Sequence, residues 1–188
     1  MGLMDRVSVP PLPRSVRIET FLSHSWGNER RTEIHALINN EWRRGFDYQD
    51  HSITSAHPIH ESNPRELLRA ISRIIARCDV FLVPTGMEGA HSGWMDREVI
   101  AACALGVPII AITPNGAQRE WTLALEHADE VVGWRGSSIR NAILRRTTEP
   151  KRSSLIAQSS DVRSLNTFGR LISRFVRWPD RHAHHRMC

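Results

Sequence analysis

The chain has 188 residues, 40% of them apolar, which is enough for one compact domain with a genuine core and some chain to spare. No apolar run reaches membrane-spanning length, and the opening MGLMDRVSVPPLPRSVR lacks the hydrophobic stretch of a secretory signal. The net charge of +5 suggests nucleic acid only until it is divided along the chain: residues 1–146 hold seventeen basic and seventeen acidic side chains, residues 147–188 eight and three. The excess lies in the tail, so the folded region has no bulk electrostatic reason to seek nucleic acid. Cysteines 78, 103 and 188 make no metal spacing, and two of them fall inside predicted elements. Free Cys there behaves as a small buried hydrophobe, and a reducing, cytoplasmic compartment is expected.

Arg17 to Ser23 reads as a short strand running into the polar turn His24-Ser25-Trp26-Gly27-Asn28. A helix follows with Ile34, Leu37, Ile38 and Trp42 at i, i+3, i+4 and i+8, stopping near Gly45. Phe46 to Tyr48 is a second short strand, and the segment from Gln49 to Pro64 is a loop rich in His, Ser, Asn and Pro. Asn63-Pro64 restarts a helix with Pro at its first position, its apolar face made by Leu67, Leu68, Ile71, Ile74 and Ile75. Cys78 to Pro84 is a third strand, and its continuous apolar run fits a sheet covered on both faces.

Ser92 or Gly93 opens a third helix, in which Trp94 and Glu98 stand four residues apart on one face while Val99, Ala102 and Cys103 bury the other side. Leu105-Gly106-Val107-Pro108 ends it, and Ile109 to Ile112 is a buried strand. A short helix around Trp121 to Leu125, a fifth strand at Glu130 to Val132 and a fifth helix at Ser137 to Arg146 complete the alternation. Five strands alternating with five helices imply an α/β domain, a doubly wound parallel sheet with right-handed crossovers. Beyond it, Leu165, Phe168, Ile172, Phe175 and Val176 predict an amphipathic helix in a basic C-terminal extension. The expected organisation is a segment 1–16, a domain 17–146 and the extension 147–188.

Open α/β sheets hold ligands at the carboxyl ends of their strands, so residues just after strands are the candidates. Glu98 lies in the first turns after the third strand; it is either a solvated helix glutamate or a carboxylate that grips a ribose and stabilises positive charge at an anomeric carbon. Trp94 is either a core aromatic or an apolar wall for a flat ring. Ser23 ends the first strand, and His24, Ser25 and Trp26 follow it as a helix cap or as a polar lip for phosphate or adenine. Asp50, His51 and Ser52 leave the second strand at the same edge, making local turns or touching ligand. His51, His57 and His60 fit no familiar zinc pattern, so no metal is expected. There is no GxGxxG fingerprint, P-loop or G-x-S-x-G elbow.

These pieces resemble the Toll/interleukin-1 receptor (TIR) domain superfamily, and more narrowly the bacterial TIR-like branch of the Thoeris anti-phage systems. Phe21-Leu22-Ser23-His24-Ser25-Trp26 is similar to the TIR opening, and Tyr48 to Ile53 to the second strand and the start of the loop used for assembly. Cys78 to Val83 resembles the third strand, Ser92 to Glu98 the pattern of Ser, Trp and a helix carboxylate, and Gly106 to Ile110 the fourth strand. The resemblance covers residues 17–146 and implies a flavodoxin-like three-layer TIR fold with a five-stranded parallel sheet. It implies that Glu98 breaks the nicotinamide–ribose bond of NAD+, used as substrate with no other cofactor, that Trp94 lines the nicotinamide side, and that Ser23 to Trp26 border the ligand. The basic residue that many catalytic TIR domains carry after the first strand has no obvious counterpart.

The implied activity is that of an NAD+ nucleosidase or ADP-ribosyl cyclase. Its product, a cyclic ADP-ribose-type nucleotide or an ADP-ribose conjugate, would be a diffusible signal to a separate effector protein during phage infection, with room for a phage-derived trigger. Self-association is expected through the Gln49–Pro64 loop, with Ile59 exposed near its tip; no nucleic acid or membrane partner is expected. The rival is a non-catalytic TIR interaction module that shares the fold and leaves Glu98 on the surface.

Overall fold

The computed structural model describes residues 17–24, 29–42, 46–53, 59–60, 63–85, 93–114 and 122–148. The expected N-terminal segment 1–16, Ser25 and Trp26, much of the loop before Pro64, and the amphipathic helix expected around Leu165 to Val176 lie outside the described residues. Within them the order is β1 (Ile18–Leu22), α1 (Glu29–Trp42), β2 (Tyr48–Asp50), α2 (Pro64–Ile75), β3 (Val80–Pro84), α3 (Gly93–Ala104), β4 (Ile109–Thr113), α4 (Thr122–His127), β5 (Glu130–Gly133) and α5 (Gly136–Thr148). The strands form one sheet in the order β2-β1-β3-β4-β5, and every pair is parallel. This is the doubly wound sheet expected from the alternation, in the flavodoxin-like, three-layer form that the resemblance implied. No helix among the described residues is long and apolar enough to cross a membrane.

Strand alternation divides the core in two. Phe21, Phe81, Val83, Ile109 and Ala111 face α2, α3 and α4 and pack with Ile71, Ile75, Met95, Val99 and Ala102. Ile18, Leu22, Val80, Leu82, Ile110 and Ile112 face the other way, onto Ile34 and Ile38 of α1 and Ile139 and Ile143 of α5. Phe21 and Phe81, partners in the β1–β3 register, stack with centroids 5.5 Å apart. Every residue of β3 is buried, as expected for a strand covered on both faces.

Register is fixed at the amino edge by two matching devices. Asp79, just before β3, accepts the Glu19 N–H at 3.0 Å and donates its own N–H to the Glu19 carbonyl at 2.7 Å. Asp129, just before β5, does the same to Ile109, at 2.9 and 2.8 Å. Each aspartate thus satisfies both backbone groups of one neighbouring residue and prevents a slip that would turn the strand's faces over.

The helix ends follow from local chemistry. Asn63 caps α2, its side-chain oxygen accepting the Arg65 N–H at 2.9 Å, with Pro64 starting the helix. At the other end of α3, Gly106 takes φ 67°, and the N–H groups of Val107 and Gly106 return to the carbonyls of Ala102 and Cys103 at 3.0 Å each. The second strand sits two residues later than expected: pairing of Ile18 with Tyr48 carries the ladder to Asp50, while Phe46 is buried ahead of it in the α1–α5 core. Ile59, expected to be exposed, is instead partly buried and packs against the core beneath α2 and α3, as does Ile53.

Gly136, the first residue of α5, is buried under α1, and a Cβ built there would lie 2.5 Å from the carbonyl oxygen of Leu37. That distance is prohibitive, and the obstacle is backbone, so the two helices must part to admit a methyl group. Overpacking of this kind typically costs about 1–3 kcal/mol, more than the helix propensity gained by replacing Gly. Gly136→Ala is therefore expected to lower the thermal midpoint by several degrees in calorimetry; an unchanged midpoint would mean that α1 and α5 do not meet here.

Candidate active site

β1 is the point at which the sheet changes direction, with β2 on one side and β3 to β5 on the other, and the crevice at such a switch lies beyond the carboxyl ends of β1 and β3. Ser23 follows β1 directly. Its N–H continues the ladder to the Leu82 carbonyl at 2.8 Å, so alternation puts its side chain on the same face as Phe21, toward α3. The Ser23 hydroxyl, fully buried, donates to Oε2 of Glu98 at 2.6 Å.

Glu98 is only 8% exposed. It lies inside the buried stripe of α3, with Met95, Val99, Ala101 and Ala102 around it, rather than on a face opposite that stripe. Burial raises the carboxyl from its ordinary 4.5 to about 7, and the Ser23 hydrogen bond, which favours the charged form, offsets only part of that. Among the described residues, the Ser23 hydroxyl is its hydrogen-bond partner. The group therefore sits near half-ionisation at neutral pH, poised to accept from polyhydroxylic ligand groups or to exchange a proton.

Trp94 is half-buried one turn earlier, packed on the same core, with the Arg97 guanidinium 4.7 Å from its ring centroid. His24, next to Ser23, is half-buried at the same strand end. Thr85 follows β3 directly, fully buried, and its hydroxyl donates to that of Thr113 at 3.0 Å, tying the ends of β3 and β4 together.

Asp50 and His51 take a different position. The pairing of Thr20 with Asp50 places the aspartate side chain on the α1 side of the sheet, where its Oδ2 meets His35 Nε2 at 2.9 Å. His51 pairs through Nε2 with Glu19 on the outer part of the sheet. The structure thus brings Ser23 and Glu98 into contact and sets Trp94 beside them, whereas Asp50 and His51 lie across β1. Ser52, expected to make a local turn or touch ligand, turns onto Asp50, and His35, outside the expected set, also has a strong polar role. His35 had no periodic signal, because a single helical histidine on a mixed face is indistinguishable from a solvated one. Among the described residues no group of three or more His, Cys, Asp or Glu side chains could hold a metal ion.

The raised carboxyl has a thermodynamic signature. The folded protein holds the Glu98 proton more tightly than the unfolded chain does, so this group's contribution is intact below pH 4.5 and is lost as pH rises through about 7, a loss on the order of 3 kcal/mol. Glu98→Gln, which keeps an oxygen for the Ser23 hydroxyl, is expected to match wild-type stability near pH 4.5 and to melt a few degrees higher at pH 8. Equal melting temperatures of the two proteins across that range would show that Glu98 is not desolvated.

Comparison with known proteins adds the family. The model of the Thoeris protein ThsB TIR-like domain matches residues 21–119, more than half of the chain. No curated protein matches by sequence. Among solved structures, the Clostridium botulinum CMP N-glycosidase BcmB is similar at 16% identity and a TM-score of 0.43, over 66% of this chain and 96% of that one. A conserved protein from Enterococcus faecalis V583 is similar at 11% identity and a TM-score of 0.49, over 70% and 99%. FixJ-N is similar at 16% and 0.45, over 71% and 95%. Likeness at that level does not extend to chemistry. The family match runs from the last two residues of β1 to beyond β4, including Ser23, Trp94 and Glu98, and the chain belongs to the Thoeris ThsB TIR-like domain family.

Proposed function

We propose that this domain is a cytoplasmic enzyme of anti-phage defence that cleaves NAD+ and turns the ADP-ribose into a diffusible nucleotide signal, a cyclic ADP-ribose-type product or an ADP-ribose conjugate, for a separate effector protein. The observation that carries the reading is the buried Glu98 carboxyl held by the Ser23 hydroxyl at the sheet's switch point. A glutamate enclosed in the apolar stripe of a helix weakens the fold above neutral pH, which is a cost typical of groups retained for chemistry.

In this reading the hydroxyls of the nicotinamide ribose donate to Glu98, and the flat nicotinamide ring lies against Trp94. As the bond from the anomeric carbon to the ring nitrogen breaks, its electron pair leaves with neutral nicotinamide, and positive charge passes from the ring to the ribose. The ionised Glu98 stabilises that oxocarbenium-like state in a low-dielectric surrounding, where a fixed charge acts strongly. A nucleophile on the same ADP-ribose, or a captured acceptor, then closes on the anomeric carbon and gives up its proton to solvent water. Arrival of the cationic nicotinamide favours the ionised carboxylate.

A TIR module acting only through association would leave Glu98 on the surface; its burial favours the catalytic reading. The test is incubation of purified protein with NAD+, with and without extract from infected cells, and identification of products by mass spectrometry. Nicotinamide release is expected, with kcat/KM rising with pH around a midpoint near 7 as the free enzyme's Glu98 ionises. Glu98→Gln or Glu98→Ala should lose about 10²–10³ in rate while remaining folded. Turnover by the variants near the wild-type rate would remove Glu98 from the mechanism.

A further inference from the structure

At the end of β1 the sheet ladder is completed by a side chain. His51 donates its N–H to the Thr20 carbonyl at 2.9 Å, as a parallel ladder requires, and the next rung would take the Leu22 N–H to the His51 carbonyl. The Leu22 N–H donates instead to the hydroxyl oxygen of Ser52 at 2.7 Å. That hydroxyl spends its own proton on Oδ1 of Asp50, and the Ser52 N–H donates to the same oxygen at 3.0 Å. Ser52 is therefore left with a lone pair pointed at β1.

Asp50 is anchored in turn from α1. Its Oδ2 lies 2.9 Å from His35 Nε2, and His35 Nδ1 lies 3.1 Å from the Tyr48 hydroxyl, which donates to Asn39 at 2.9 Å. The residue after Leu22 is Ser23, held from the other side by Leu82. Two successive N–H groups at the end of β1 are thus fixed from opposite neighbours, which sets the direction of the Ser23 side chain.

We propose that His35, Asp50 and Ser52 are positioning residues that lock the end of β1 and thereby hold the Ser23 hydroxyl on Glu98. The proposal deepens the assignment of Glu98 as the reacting carboxylate and rests on it. The Asp50 carboxyl at the centre of the clamp stays ionised where the enzyme works. Burial alone would raise Asp50, but the hydrogen bonds from His35 and Ser52 and the charge of His35 outweigh it and hold the carboxyl down near 2. It stays an acceptor across the range in which Glu98 changes charge.

The experiment reads Glu98 directly, through the carboxyl carbon-13 signals of the full chain against pH, with the Glu98 signal assigned by its loss in Glu98→Gln. Ser23→Ala, which deletes the hydrogen bond, sets the largest expected rise in the Glu98 midpoint. Ser52→Ala is expected to raise it in the same direction, Ser52→Thr to return it to the wild-type value, and Asp50→Asn serves if Ser52→Ala does not fold. In NAD+ turnover Ser52→Ala should lower kcat by about 10- to 100-fold through misplacement alone, with KM little changed and the pH midpoint raised. A raised carboxyl midpoint in a protein that never turns over NAD+ would uphold the positioning role and sink the proposed activity. A wild-type midpoint in Ser52→Ala, whether or not NAD+ is cleaved, would overturn the positioning role; so would lower stability with Glu98 titrating as before.

Discussion

A carboxyl group enclosed between an apolar helix face and the end of a strand is the constraint on which the rest of this molecule turns. Glu98 occupies a place on α3 where a Leu or Met would serve the fold better, since a buried charge is costly unless fully paired. Its Ser23 partner comes from another element 75 residues earlier, and the contact exists only because the sheet brings β1 next to β3. The aspartates that set register at the amino edge, the Gly106 turn that ends α3 and the stacked Phe21 and Phe81 all contribute to that placement. Stability invested in the sheet is thereby converted into the position of one hydroxyl.

Two carboxyls drawn out of solvent, one half-buried and one buried, show how neighbours decide what burial does. Asp50 and Glu98 both lose solvent, yet Asp50 is held near 2 by donors from His35 and Ser52, while Glu98, with one hydroxyl, rises to about 7. One is a fixed charge that supports the fold above the ordinary aspartate range; the other is a group whose charge varies around neutrality and costs stability when ionised. Acid/base assignments follow from environments that push two such groups apart. In this domain the fixed group stands on the α1 side of the sheet and the variable one on the α3 side, linked through the end of β1.

The legible part of the fold was the periodic part. The continuous apolar run of β3, the alternating order of elements and the Asn63-Pro64 helix start could be read from residue spacing because each reflects a local preference. Glu98 was legible as a candidate from its place after the third strand, but its burial was not. Helical spacing shows that Trp94 and Glu98 are neighbours, and leaves open how far the apolar stripe wraps around them; Met95 and Ala101 widen it enough to enclose the glutamate. Asp50 was visible as a polar group at a strand end, yet which face of the sheet it takes and what it meets there are decided only by pairing with β1. The polar role of His35 arises from tertiary contacts, whereas Ser52 joins a local turn on Asp50 to a tertiary bond from Leu22. Ile59 looked exposed because it sits among polar loop residues, and it packs on the core regardless.

The most direct test of the account is a crystal structure of the Glu98→Gln protein with NAD+ bound, since that variant keeps the shape of the site and should leave the substrate uncleaved. The account predicts the nicotinamide ribose beyond the carboxyl ends of β1 and β3, its hydroxyls within hydrogen-bond distance of the residue 98 side chain and the nicotinamide ring against Trp94. NAD+ bound elsewhere, or bound there with its ribose out of reach of residue 98, would contradict it.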